Sequence, residues 1–172
     1  MKKSINVKKM CYLALFCAIA IILSYIETLI PFQFGIPGAK IGLANITSII
    51  LLLCFGFKEA LIVMLLRIFI VAATFTNLYM MLYSLAGGII SLAVMALFYK
   101  TKLFSNYIVS IIGGIFHNIG QLFIAMIFFN TTTFLYYLPY LLLIGAISGT
   151  VIGIIAQIIY TKTGQYIKKQ NN

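Results

Sequence analysis

The sequence predicts an all-α integral membrane protein, one domain of six transmembrane helices spanning residues 1–172. Two observations set the class: hydrophobic residues make up 63% of the chain and charged residues 8%, and mean hydropathy is +1.14, far outside the range of soluble domains. A third sets the helix count. The apolar runs approach the length of about 20 residues needed to cross a bilayer, and short polar turns separate them.

The first helix is expected over residues 9–30 and stops at Pro31, which cannot continue it comfortably. MKKSINVKK resembles a signal-peptide start, but the apolar run continues past Ala18–Ala20 to Ile30, so an uncleaved helix is expected. Phe16 before Cys17 is too large for a lipoprotein processing site. The second helix, 41–55, is short for a full crossing. Gly56-Phe57-Lys58 then turns the chain into a third helix over 59–75, and Thr76-Asn77 into a fourth over 78–98. Tyr99-Lys100-Thr101-Lys102 leads to a fifth over 104–129. Asn130–Thr133 precedes a sixth over 138–160, with Pro139 in its first turn, where proline is tolerated.

Lysine placement supports six crossings with both termini cytoplasmic. With the N-terminus inside, the inner segments hold Lys2, Lys3, Lys8, Lys9, Lys58, Lys100, Lys102, Lys162, Lys168 and Lys169, ten of the twelve basic residues. Only Lys40 is left outside, and Arg67 falls within a helix. The net charge of +10 is therefore a matter of topology and lipid headgroups, and nucleic acid is not an expected partner.

Pro31–Asn45 is the one long break in the apolar pattern, with two of the three prolines and Lys40. It is expected to cap a ligand pocket at the outer face. Glu27, just upstream, and Asn45, at its end, are candidate ligand-binding residues. Arg67 costs about 2.5–3.5 kcal/mol near a helix centre on insertion scales, so it should face the bundle. There it would pair with Glu27 or Glu59, or bind an anionic ligand group together with Lys40. Gly113, His117 and Gln121 share a face at i, i+4, i+8 spacing, and Asn118 adjoins it. His117, Asn118 and Gln121 are expected to form a pocket wall. Ala14 and Ala18 form a small-residue strip on the first helix, suited to close packing inside the bundle or to docking a partner helix. Gly145, Gly149 and Gly153 make two GxxxG steps on the sixth.

Several chemistries are excluded. There is one histidine, and Glu27 and Glu59 are the only acidic residues, so neither a metal cluster nor a paired-aspartate magnesium site can be assembled. The chain has no P-loop, no GxSxG and no Cys–His pairing of recognisable spacing. Catalysis by this chain alone is not expected, nor is a cofactor.

The motifs together resemble a known family. Ser24-Tyr25-Ile26-Glu27, Ile36-Pro37-Gly38-Ala39-Lys40-Ile41-Gly42-Leu43-Ala44-Asn45, Gly56-Phe57-Lys58-Glu59-Ala60 with Arg67, Ser84-Leu85-Ala86-Gly87-Gly88, His117-Asn118-Ile119-Gly120-Gln121 and Tyr136-Tyr137-Leu138-Pro139 occur in the order of the Gx transporter family. That family is also labelled heptaprenyl diphosphate synthase component I. More distantly it is similar to the substrate-binding S-components of energy-coupling factor importers. This resemblance implies a six-helix bundle with an outer loop over the pocket, and an Ala14/Ala18 strip that docks a membrane scaffold subunit carrying an ATPase pair. The resemblance does not name the ligand; a small vitamin-like, isoprenoid or quinone-precursor molecule is expected, in a bacterial-type cytoplasmic membrane. The importer subunit is the expected function; the other label implies the alternative, a non-catalytic accessory subunit of a soluble prenyl synthase.

Overall fold

The structure, a computed structural model, describes residues 7–29 and 42–164. Six α-helices follow one another: α1 Val7–Leu29, α2 Asn45–Cys54, α3 Phe57–Thr74, α4 Leu78–Thr101, α5 Asn106–Phe129 and α6 Leu138–Ile159. A 3-10 segment, Thr133–Tyr137, leads into α6, and a π-helical turn, Tyr160–Gly164, follows it. No strand occurs among the described residues.

Local sequence explains the helix ends. Asn77 caps α4, its side chain accepting from the Met80 N–H at 2.9 Å, and Ser105 occupies the same position on α5. Lys102 and Asn130 close α4 and α5 in the left-handed conformation, at φ 56° and 46°. Pro139 lies in the first turn of α6. Among the described residues, four segments are long and apolar enough to cross a membrane: α1, α4, α5 and the continuous run Thr133–Gly164. The helix expected over 41–55 is shorter than that, ten residues from Asn45, or about 15 Å. Helix α3 has 18 residues and carries Lys58, Glu59 and Arg67.

Packing is inverted relative to a soluble protein. Large apolar side chains face outward on every long helix, among them Leu15, Ile22, Leu66, Phe69, Leu97, Phe123, Ile127, Ile147 and Val151. Polar side chains are buried, including Ser24, Glu27, Arg67, Ser91, Ser110, His117, Asn118 and Gln121. Such a surface suits a hydrocarbon solvent, where internal polar groups must satisfy one another. Helix α2 is apolar nearly all round and forms the centre of the larger core cluster, with Ile49–Cys54 packed on Met64, Ile68, Leu92, Met95 and Ile152. A second cluster, Tyr83, Leu122, Ala125 and Leu141, joins α4, α5 and α6.

The GxxxG steps of α6 are used inside the molecule. A Cβ on Gly149 would stand 2.8 Å from the Ser110 carbonyl oxygen and from the Ile111 Cα of α5, so backbone meets backbone there. The lysines gather at one end of the bundle. Lys9 of α1 pairs with Glu59 of α3 at 2.5 Å, Cys54 Sγ lies 3.8 Å from the Gly164 carbonyl, and Asn106 Nδ2 donates to Gln157 Oε1 at 2.8 Å. These contacts place Lys9, Lys58, Lys100, Lys102 and Lys162 around one end. The opposite end is aromatic, with Tyr25 on Phe75 and Tyr79 on Phe128.

Candidate functional site

Arg67 is the buried cation of α3, 7% exposed on a helix face shared with Ala60, Val63, Met64, Ile68 and Val71. Its Nη1 donates to Ser24 Oγ of α1 at 3.0 Å. Its Nε is fully buried and has no hydrogen-bond partner among the described residues. Beside it is a cavity of about 20 Å³, room for a single water molecule. Ser24 and Glu27 of α1, Gly42, Arg67 of α3, Thr76, Ser84 of α4 and His117 of α5 line it, with Ile68, Val71 and Met81 as its apolar walls. Six segments thus meet at a polar point in the half of the bundle away from the lysines.

Glu27 is committed to the backbone that enters α2. Its Oε1 accepts from the Gly42 N–H and, at 3.4 Å, from the Leu43 N–H. A carboxylate is favourable there, because the first amides of a helix lack partners within it and carry the positive end of its dipole. Gly42 has φ +85°, and a Cβ there would be 2.8 Å from Asn45 Nδ2 and 3.2 Å from His117 Cδ2. Only glycine brings the chain round at this point while leaving room for both side chains. On the other side of the imidazole is Gly87, where a Cβ would stand 2.9 Å from His117 Nδ1 and from its carbonyl oxygen. His117 therefore occupies a slot made by two glycines from different segments.

The seven predicted ligand-binding residues divide into groups. Glu27, Arg67 and His117 come together on the cavity, and Asn45 is buried against Gly42 beside it. Asn118 and Gln121 stand apart from that group. Both are buried, but neither lines the cavity. Asn118 Nδ2 donates to the Leu141 carbonyl of α6 at 2.8 Å, so it secures the α5–α6 contact. Gln121 Nε2 is 3.0 Å from His117 Nε2 and supports the imidazole from the next turn. The α5 polar face is broader than the cavity, and α6 takes the part that Asn118 occupies. Lys40 and the rest of the Pro31–Ile41 loop lie outside the described residues.

The expected pairing of Arg67 also changes. Glu59 is taken by Lys9, at the other end of α3. Glu27 acts on Arg67 electrostatically within the same cavity, but the ion pair formed between described residues is Lys9–Glu59. Thr76 and Met81 join the site without having been singled out by the sequence, since nothing in their immediate neighbours marks them. Ala14 and Ala18 are exposed on the outer face of α1 with Leu15 and Ile22, while Phe16, Ala20, Ser24 and Glu27 form its buried face. Among the described residues no cluster of three or more metal-ligating side chains forms.

A multi-pass helical membrane protein with a small, charged internal cavity is the class these features define. Residues 16–159 match the family described as Heptaprenyl diphosphate synthase component I, and the chain belongs to that family. No curated protein and no solved structure matches it.

Proposed function

We propose that this chain is the non-catalytic membrane subunit of a prenyl diphosphate synthase system, crossing a bacterial-type cytoplasmic membrane six times with both termini inside. Family membership over residues 16–159 carries the proposal. The chemistry agrees with it: the sequence contains no aspartate, so allylic diphosphate condensation would fall to a soluble partner. The subunit would hold that partner at the bilayer, where a lengthening, increasingly insoluble product can pass into lipid. The lysine-rich end would face the cytoplasm, and α2 would sit within the bundle rather than against lipid. The test is to express the partner synthase with and without this chain, then measure its product length and membrane-bound fraction. Longer products or recruitment to the membrane is the expected result. Identical product and distribution in both cases would refute the assignment.

A second reading, the substrate-binding subunit of an energy-coupling factor type importer, is favoured by two observations. One is the cavity around Arg67, a polar site in the half of the bundle read as outer. The other is the exposed strip at Ala14 and Ala18, which would dock a membrane scaffold subunit bound to an ATPase pair. The cavity as it stands admits one water, whereas small-molecule sites span about 300–1,000 Å³. An importer would thus have to open it by moving the Gly42–Asn45 segment off Glu27 to admit a vitamin-like or isoprenoid ligand. Capture of an ATPase module by the tagged chain, lost in Ala14→Trp and Ala18→Trp, would establish this reading.

A further inference from the structure

A second concavity lies at the lysine-rich end, where α4 finishes and α5 begins. It measures about 580 Å³ and is lined by Tyr99, Lys100, Lys102, Phe104 and Asn106. That volume is within the range of small-molecule sites, and far larger than the cavity at Arg67. Lys100 and Lys102 are both exposed. The chain's two carboxylate side chains cannot neutralise them: Glu59 binds Lys9, and Glu27 belongs to the site in the opposite half of the bundle.

Two of the lining residues are held by contacts of their own. Phe104 packs on Phe98 of α4 with ring centroids 5.2 Å apart, and Asn106 is held by Gln157 of α6. The first turn of α5, its Ile108 N–H capped by Ser105 Oγ, adds the positive end of a 24-residue helix. Strongly apolar, outward-facing side chains adjoin it: Leu97 is 63% exposed and Leu103 82%. Two lysines and two aromatic side chains lining one cleft, next to an outward-facing apolar surface, match one ligand chemistry. We infer that this cleft binds the phosphate head of an amphiphile, whose hydrocarbon chain runs along α4 and α5 in the bilayer.

Two sources can supply that chemistry, a prenyl diphosphate or an anionic phospholipid. The prenyl diphosphate rests on the synthase-subunit reading, because it would be what the partner makes or consumes. The phospholipid does not depend on that reading.

The experiment uses the full chain alone in phosphatidylcholine nanodiscs, titrated with geranylgeranyl diphosphate, with geranylgeraniol and with inorganic pyrophosphate. A parallel set of discs contains phosphatidylglycerol. Saturable binding of the diphosphate is expected, with the alcohol and pyrophosphate each binding at least about tenfold more weakly, since neither supplies both parts of the amphiphile. Lys100→Gln/Lys102→Gln should weaken the diphosphate by about tenfold or more. Lys58→Gln, an equal charge change per residue elsewhere at the same end, should leave it unchanged. Competition by phosphatidylglycerol identifies the bilayer lipid as an occupant of the same cleft, and its absence identifies the diphosphate as the preferred one. Binding that the alcohol reproduces, binding that Lys58→Gln weakens as much as the cleft variant, or no saturable binding would each overturn the inference. No synthase is present in this assay, so its failure is distinguishable from failure of the subunit reading.

Discussion

The two charged regions of this protein handle the same problem in opposite ways. At the lysine-rich end, charges sit on helix termini and turns, where water and headgroups solvate them, and a contact such as Lys9–Glu59 is one of many available arrangements. Around Arg67, charge is deep in the bundle, and each neighbour is set by a backbone constraint. Ser24 accepts from the guanidinium, Glu27 is anchored on the amides of Gly42 and Leu43, and glycines on two segments make space for His117. Location therefore determines how much each residue matters. Removing an exposed charge costs little because solvent replaces its partner. Removing a buried one strands the others.

Substitutions can break this contrast in order of size. Arg67→Gln should be the most damaging, lowering stability by about 3 kcal/mol because it removes the charged member of a buried network that includes Ser24 and Glu27. Denaturant unfolding in detergent measures this, and Glu27→Gln in the same chain should recover part of the loss. Gly42→Ala should cost about 1–2 kcal/mol, from its positive φ and its contact with Asn45. The same unfolding assay reads it, and Asn45→Ala should lessen only the contact part. Asn118→Ala should cost less, about 0.6–1.7 kcal/mol, the scale of one interhelical hydrogen bond in a membrane. Glu59→Gln should fall below about 1 kcal/mol, since both members of its pair are partly exposed. A loss at Glu59 as large as that at Arg67 would end the distinction between the two ends.

Much of the fold was legible because bilayer thickness and lysine bias constrain it strongly. The expected bounds of α3 and α4 lie within about three residues of those observed, and Gly56 and Pro139 mark helix starts by their own chemistry. Helix α2 was recognisable as too short, though not as the buried centre of the core, because a run such as Ile49–Leu53 reads the same against lipid as against protein. The site was legible only as a set of buried polar residues. Periodicity put His117, Asn118 and Gln121 on one side of α5, yet could not say that α6 would claim Asn118. Nor could it show that Glu27 would turn to backbone 15 residues further on, since peptide amides leave no trace in residue identity. Arg67 lost Glu59 to Lys9 for a similar reason: which helix ends are neighbours follows from packing, not spacing.

The central claim, a membrane subunit serving a soluble prenyl synthase, is tested most directly by native mass spectrometry. The tagged chain would be released gently from the membrane in which it is normally expressed. A complex whose added mass is that of a soluble prenyl synthase is the expected result. A complex with a membrane scaffold and two ATPase subunits, and no synthase, would contradict the claim and establish the importer reading in its place.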